Sequence, residues 1–259
     1  MRNTTLALVR AGRPAIGSWM TLASPLASEI LAHIGFDFLV VDTEHSPTDT
    51  ETVVQMLQAM KGQPISPIVR VVWNDVGLIK RALDSGAHGV VVPMVNNVDE
   101  ARQAVAACRY PPQGLRSVGG TRPPLSFGVS RAEYLAEANQ EILLAVQIEH
   151  VDAVARVDAI AAVEGVDCLF VGPNDLCASM GLPPLLEPDV PAFEEALAKV
   201  VRAADAHGKT AGILVGTLAT GLMRLQQGFR FVAIGTDAAM ITAGAQSIVQ
   251  GVRGTSTAR

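Results

Sequence analysis

The fold turns on residues 142–175, which read Ile142-Leu143-Leu144-Ala145-Val146-Gln147-Ile148-Glu149, then the helical-period stretch Val151–Val163, then Cys168-Leu169-Phe170-Val171 and Gly172-Pro173-Asn174-Asp175. Both apolar runs have the length of strands. They are continuous rather than alternating, which marks a sheet covered on both faces. The amphipathic stretch between them supplies the crossover that parallel neighbours require. Glu149 follows the first run directly and Asp175 follows the second after a Gly-Pro-Asn turn, so two carboxylates are expected where two adjacent strands end.

The same unit recurs outward in both directions. Ile16–Met20, Phe38–Val41, Ile68–Val72, Gly89–Val92, Ala211–Leu214 and Phe231–Ile234 read as further strands. Pro25–Ile34, Thr48–Lys61, Val76–Ser85, Val98–Cys108, Pro191–His207, Thr217–Gln227 and Asp237–Val252 carry helical spacing. Ser24-Pro25, Ser46-Pro47-Thr48 and Asn74-Asp75 resemble helix starts, and Gly35, Gly62, Gly86, Gly165, Gly208 and Gly228 fall where helices should stop. Eight such units in 259 residues predict a closed parallel (β/α)₈ TIM barrel, a single domain over residues 1–259, with a doubly wound open sheet as the alternative. The proline- and glycine-rich segment Tyr110–Gly128 is expected to be a functional loop over the barrel mouth. Residues 253–259 read as a flexible tail.

Composition narrows the function classes. Apolar residues make up 49% and charged residues 17%, which predicts extensive burial, subunit interfaces included, and not disorder. A net charge of −5 leaves no basic footprint for nucleic acid. Cys108, Cys168 and Cys177 are odd in number and lack CxxC spacing, so a reducing cytoplasm fits better than a disulfide scaffold. The apolar stretch near the N-terminus is too short for a signal peptide, and no run has the length of a membrane span. Small molecules and further copies of the chain are the expected partners.

In a parallel α/β barrel the strand C-termini converge on one mouth, where chemistry is placed. The residues at predicted strand ends are Trp19, Asp42-Thr43-Glu44-His45, Arg70, Gln147-Ile148-Glu149 and Gly172-Pro173-Asn174-Asp175. Glu149 and Asp175 offer hard oxygen ligands for Mg²⁺ or Mn²⁺, or else they cap the helices that follow. Arg70 binds a carboxylate or a developing enolate oxygen, or it pairs structurally with Glu44 or Glu149. His45 has an imidazole suited to general base work, oriented by Asp42 or by Asp84, or it is an exposed loop histidine. Asp84 would have to be brought in by folding or by another subunit. Trp19 is a pocket wall or a core or interface aromatic. The backbone after Val171 opens a helix and can hold a carboxylate. No GxGxxG or GxxxxGK[ST] occurs, so dinucleotide and P-loop readings lack support.

These strings, in order along almost the whole chain, resemble the class II pyruvate aldolases of the HpcH/HpaI family. The likeness rests on Gly17-Ser18-Trp19, Asp42-Thr43-Glu44-His45, Val69-Arg70-Val71 with Trp73-Asn74-Asp75, and Ile79-Lys80-Arg81-Ala82-Leu83-Asp84. It continues through Val92-Pro93-Met94, Tyr110-Pro111-Pro112, Gln147-Ile148-Glu149, Phe170-Val171-Gly172-Pro173, Asp175-Leu176 and Gly235-Thr236-Asp237. The resemblance implies a barrel of the phosphoenolpyruvate/pyruvate type, assembled as a homohexamer (a trimer of dimers) with the C-terminal helix exchanged between subunits. It implies reversible cleavage of a 4-hydroxy-2-oxo acid to pyruvate and an aldehyde through a metal-bound pyruvate enolate.

Glu149 and Asp175 would then hold Mg²⁺ or Mn²⁺, with Co²⁺ also admitted. Arg70 would stabilise the enolate oxygen, and His45 paired with Asp84 would move protons through water. Trp19, Gln147, Gly172, Pro173 and Asn174 would complete the pyruvate site. Lys80 and Lys209 are expected to have no catalytic part. His150, where a threonine is usual, Asn174, Ser117 and the pair Pro123-Pro124 depart from the family pattern, and His150 is expected to touch the metal's surroundings. The alternative reaction is carbon–carbon lysis of a CoA thioester, as in the malyl-CoA and citrate lyase branch.

Overall fold

A computed structural model describes residues 1–256. In chain order its elements are α1 (Thr4–Arg10), β1 (Ala15–Met20), α2 (Pro25–Ala32), β2 (Phe38–Asp42), α3 (Thr50–Ala59), β3 (Ser66–Arg70) and α4 (Val76–Asp84). There follow β4 (Gly89–Val92), α5 (Val98–Cys108), α6 (Arg122–Phe127), α7 (Arg131–Glu141), β5 (Leu143–Ile148), α8 (Val151–Ala155), α9 (Val157–Ala161) and β6 (Cys168–Val171). The chain ends through α10 (Pro173–Ser179), α11 (Pro191–Ala206), β7 (Thr210–Val215), α12 (Leu218–Gln226), β8 (Phe231–Thr236) and α13 (Asp237–Ser256). The strands close in sequence order into one barrel, β8 pairing back onto β1, and every pairing is parallel.

Continuous apolar strands fill two separate cores. Side chains alternate across each strand, so Leu39 and Val41 pack outward among the helices while Phe38 and Val40 point into the barrel. Inside, Phe38 stacks on Phe231 with ring centroids 3.9 Å apart, and Phe170 meets Phe231 edge-on at 5.9 Å. Gly17 makes room for this, because a Cβ there would overlap the Phe38 ring. Leu6 and Val9 of α1 complete the inner core, so this helix stoppers the end where strands begin. Its N-cap is Asn3, fully buried, whose Oδ1 accepts from Leu6 N–H at 3.1 Å.

Three expectations need correction. The stretch Val151–Val163 breaks at Arg156 into α8 and α9. Segment Tyr110–Gly128 does not cover the mouth: it follows α5, leads to the start of β5, and contains α6. Its Ser126 lies 3.3 Å from the ring nitrogen of His88, just before β4, so it packs under the opposite end. Residues 253–256, expected as tail, continue α13, and 257–259 lie outside the described residues. Beyond its first turns α13 is exposed, with Ile241, Ile248 and Val252 open to solvent. Among the described residues no helix is long and apolar enough to cross a membrane.

Candidate active site

Register builds the site. Arg70 and Asp42 are the last residues of β3 and β2 and lie directly opposite one another. Arg70 Nε donates to Asp42 Oδ1 at 2.9 Å and Nη2 donates to Oδ2 at 2.7 Å, a two-pronged pair. Nη1 lies 3.0 Å from Glu44 Oε2, and the guanidinium carbon sits 5.2 Å from the centre of the Trp19 ring. Burial works against the cation, but the Asp42 bonds and the charges of Asp42, Glu44 and Glu149 hold its pKa above the ordinary value. Of the five N–H groups of a guanidinium, three are thus engaged and two remain for a ligand.

Glu149 follows β5 and is 2% exposed. Met94 N–H donates to its Oε1 at 2.7 Å, and Gln147 Nε2 donates to Oε2 at 2.8 Å. Met94 reaches that position with a φ of 54°, a left-handed conformation uncommon outside glycine. Burial pushes Glu149 up to about 7; the Met94 bond opposes this, and the charges of Asp175 and Glu44 add to it. Glu44 is also raised, first by burial, against the pull of Arg70. This pocket has more carboxylates than its cation can satisfy.

Two further observations fit a divalent cation. Gln147 Oε1 is buried without a partner. Gly172 leaves open the space in front of Glu149 Oε2, which a Cβ would occupy. Glu149 and Asp175 are hard oxygen donors suited to an ion that keeps water and substrate oxygens. Among the described residues no three His, Cys, Asp or Glu side chains converge as a complete cage, so such an ion would rest on this pair.

Neither acid is an N-cap, although Asp175 does lie in the first turn of α10, where a carboxylate suits the helix dipole. His150 is the N-cap of α8, its Nδ1 accepting from Asp152 N–H at 3.1 Å, which also turns it away from the role expected of it beside the metal. Gly172 is the N-cap of α10, which has no side-chain cap; Pro173 follows buried, and Asn174 and Asp175 are exposed at the rim. Trp19, 2% exposed, forms the floor 5.4 Å from Phe170, and its indole N–H has no partner.

His45 stands on the loop after β2 with its side chain 65% exposed, Nε2 lying 4.0 Å from Glu44 Oε1. Neither expected orienting residue reaches its ring within one chain, although the His45 backbone N–H donates to Asp42 Oδ1 at 3.4 Å. Both Asp42 oxygens face Arg70. Asp84 ends α4 at the opposite end of the barrel, where Arg116 Nη2 donates to it at 2.8 Å. All the remaining expected residues line one cavity of about 220 Å³, joined by Thr236 of the Gly235-Thr236-Asp237 string and by Thr21, Leu186 and Leu214, which the sequence did not single out. Thr21 follows β1, so the strand-end rule would have found it. Leu186 had no signal, since it lies in irregular chain between α10 and α11. Lys80 and Lys209 do not line this cavity.

The HpcH/HpaI aldolase/citrate lyase family matches residues 15–243. The chain is 42% identical over 247 residues to the 5-keto-4-deoxy-D-glucarate aldolase of Shigella boydii serotype 18, covering 95% of each protein. It is 42% identical over 248 residues to the 4-hydroxy-2-oxo-heptane-1,7-dioate aldolase of Salmonella arizonae, covering 96% of this chain and 94% of that one. Among solved structures, a HpcH/HpaI aldolase/citrate lyase family protein of Burkholderia cenocepacia J2315 superposes with a TM-score of 0.90 at 36% identity, covering 97% and 99% of the two chains.

Proposed function

We infer the reaction from what the chain is: it belongs to the HpcH/HpaI aldolase/citrate lyase family and is a carbon–carbon lyase of the aldolase type. The reaction is reversible cleavage of a 4-hydroxy-2-oxo acid to pyruvate and an aldehyde. The observation that supports it best is one guanidinium, held rigid by two acids and an aromatic face, aimed into a cavity beside the under-neutralised pair Glu149 and Asp175.

Cleavage begins when the 4-hydroxyl loses its proton. The C3–C4 bond then breaks, its electron pair passing to C3 and onward to the C2 oxygen, and C3 takes a proton to become the methyl of pyruvate. His45 is the exposed proton carrier at the rim and works through water. Arg70 aims its two unspent N–H groups at the oxygen where charge grows, and its rigid mounting removes reorganisation from the barrier. Gln147, Trp19 and the Gly172–Asp175 turn bind and orient pyruvate. Glu149 and Asp175 would hold Mg²⁺, Mn²⁺ or Co²⁺, which when bound supplies Lewis-acid polarisation of the 2-oxo group.

His45 is paired with Asp84 from a second copy, because the Asp84 of its own chain lies at the far end. The exposed apolar side of α13 packs on a neighbouring subunit in a hexameric, cytoplasmic enzyme. In assay, purified protein with Mn²⁺ and a 4-hydroxy-2-oxo acid should release pyruvate, and EDTA should stop it. Borohydride with pyruvate should trap no lysine adduct; metal-independent turnover with such an adduct would sink the mechanism.

A further inference from the structure

The mouth has one wall that the pyruvate chemistry does not use. Leu214, on β7, and Leu186, between α10 and α11, line the same cavity as Arg70 and Glu149 but bring only hydrocarbon to it. Leu186 is held there by its neighbour. Glu187 Oε1 accepts from Gly216 N–H at 2.9 Å and from Thr217 N–H at 3.2 Å, pinning the loop onto the end of β7. A Cβ built on Gly216 would stand 3.6 Å from Leu186 Cδ1, so the leucine already rests against that backbone. Pro183, Pro184 and Pro188 restrict the same loop from within.

The charge around this wall is accounted for. Among the described residues lining the cavity the basic side chains are Arg70 and His45. Arg70 is committed to Asp42 and Glu44, and its remaining N–H groups face the pyruvate oxygens. His45 carries the proton. Asp42 is spent on Arg70, and Glu149 and Asp175 are committed to the cation of the pyruvate site. A carboxylate at the far end of the aldehyde would therefore lose its water against leucine with no uncommitted cation to pair with, which is costly.

We propose that Leu186, clamped by Glu187 and backed by Leu214, selects an uncharged, short-chain apolar aldehyde and disfavours one ending in a carboxylate. This rests on the aldolase reading and adds the class of its second substrate. The Salmonella arizonae relative's name specifies a seven-carbon diacid, and pyruvate release from that diacid leaves an aldehyde with its own carboxylate, the counterpart against which an uncharged aldehyde is tested.

The test compares butanal with succinic semialdehyde, which share chain length and differ in the terminal group. Each is added to Mn²⁺-loaded enzyme with pyruvate. Butanal should show a kcat/KM at least about ten-fold higher, the loss expected for desolvating an unpaired polar group. Leu186→Arg should raise kcat/KM for succinic semialdehyde about ten-fold and reverse the preference. Leu186→Ala and Glu187→Ala should each bring the ratio toward one, and they serve if the arginine variant does not fold. A wild-type preference for succinic semialdehyde, or a ratio that none of the three variants moves, overturns the proposal. Exchange of the pyruvate methyl protons in D₂O without any aldehyde separates the two levels. Normal exchange with the wrong aldehyde preference overturns only this inference, whereas no exchange and no turnover with any aldehyde overturns the aldolase reading as well.

Discussion

At the end of the barrel where strands begin, Asp37 accepts from Ile16 N–H at 2.8 Å, and Asp167 accepts from Leu144 N–H at 2.9 Å and from Arg10 Nη2 at 3.0 Å. Asn3 spends its amide on His88 and Glu141 carbonyls and receives the Ser66 hydroxyl at 2.9 Å. A cavity of about 700 Å³ opens there beside Arg109, Asp167 and Lys209, three times the volume of the one at the mouth. Asp167 there is nonetheless tied to backbone and to cations. At the mouth, Asp42, Glu44 and Glu149 share one guanidinium, and Glu149 is pushed up to about 7. Size does not mark the reactive end of this barrel. Unbalanced charge does.

The comparison breaks first, and most visibly, at Glu149. Glu149→Ala should lower kcat/KM by about 10³-fold and abolish Mn²⁺ binding measured by titration; Asp37→Asn at the other end should leave kcat/KM within about two-fold. An equal loss from both substitutions would show that the two ends are not functionally distinct.

Next comes pH. The folded pKa of Glu149 lies above its unfolded value of 4.5, so folding favours the protonated form. Below 4.5 both states are protonated and this group costs nothing. Metal-free stability should fall as pH rises from 4.5 through 7, by about 3 kcal/mol at most, and then level off. Urea midpoints measured across that range check it. Glu149→Gln should flatten the curve, whereas Asp167→Asn should not.

His45→Ala should reduce turnover about 10²-fold while Mn²⁺ still binds. Unchanged rates would remove it from proton transfer. The smallest effect belongs to the strand-start end. Asn3→Ala removes a helix cap and its bonds to the His88 and Glu141 carbonyls, and should cost about 2 kcal/mol of stability with kcat near wild type.

The strand ends were legible in the sequence because a buried strand leaves an unbroken β-branched run, and the residue that stops it shows. Val98–Cys108 was read to its boundaries because Ala101, Ala104, Ala107 and Cys108 keep a buried stripe at helical spacing. α7 escaped because it buries only Tyr134 and Ala138 and has no such stripe. α6 escaped because its first turn is Arg122-Pro123-Pro124, which also reads as loop. The misplacement of Tyr110–Gly128 was avoidable: chain that leaves a helix for a strand must travel to the strand-start end. The Asp42–Arg70 pair was not legible, since only the register between β2 and β3 brings residues 28 positions apart face to face.

The stopper helix imposes an order on assembly. Asn3 and Thr5 bind groups on residues 37, 66, 88 and 141, which lie far along the chain. Helix α1 therefore has no complete seat until the chain through residue 141 has folded. Pulse-labelled hydrogen exchange during refolding should find residues 3–10 protected no earlier than β3 and β5, with Leu6 and Val9 left for a time as exposed hydrocarbon. The barrel is corked from its own beginning, and the cork goes in late.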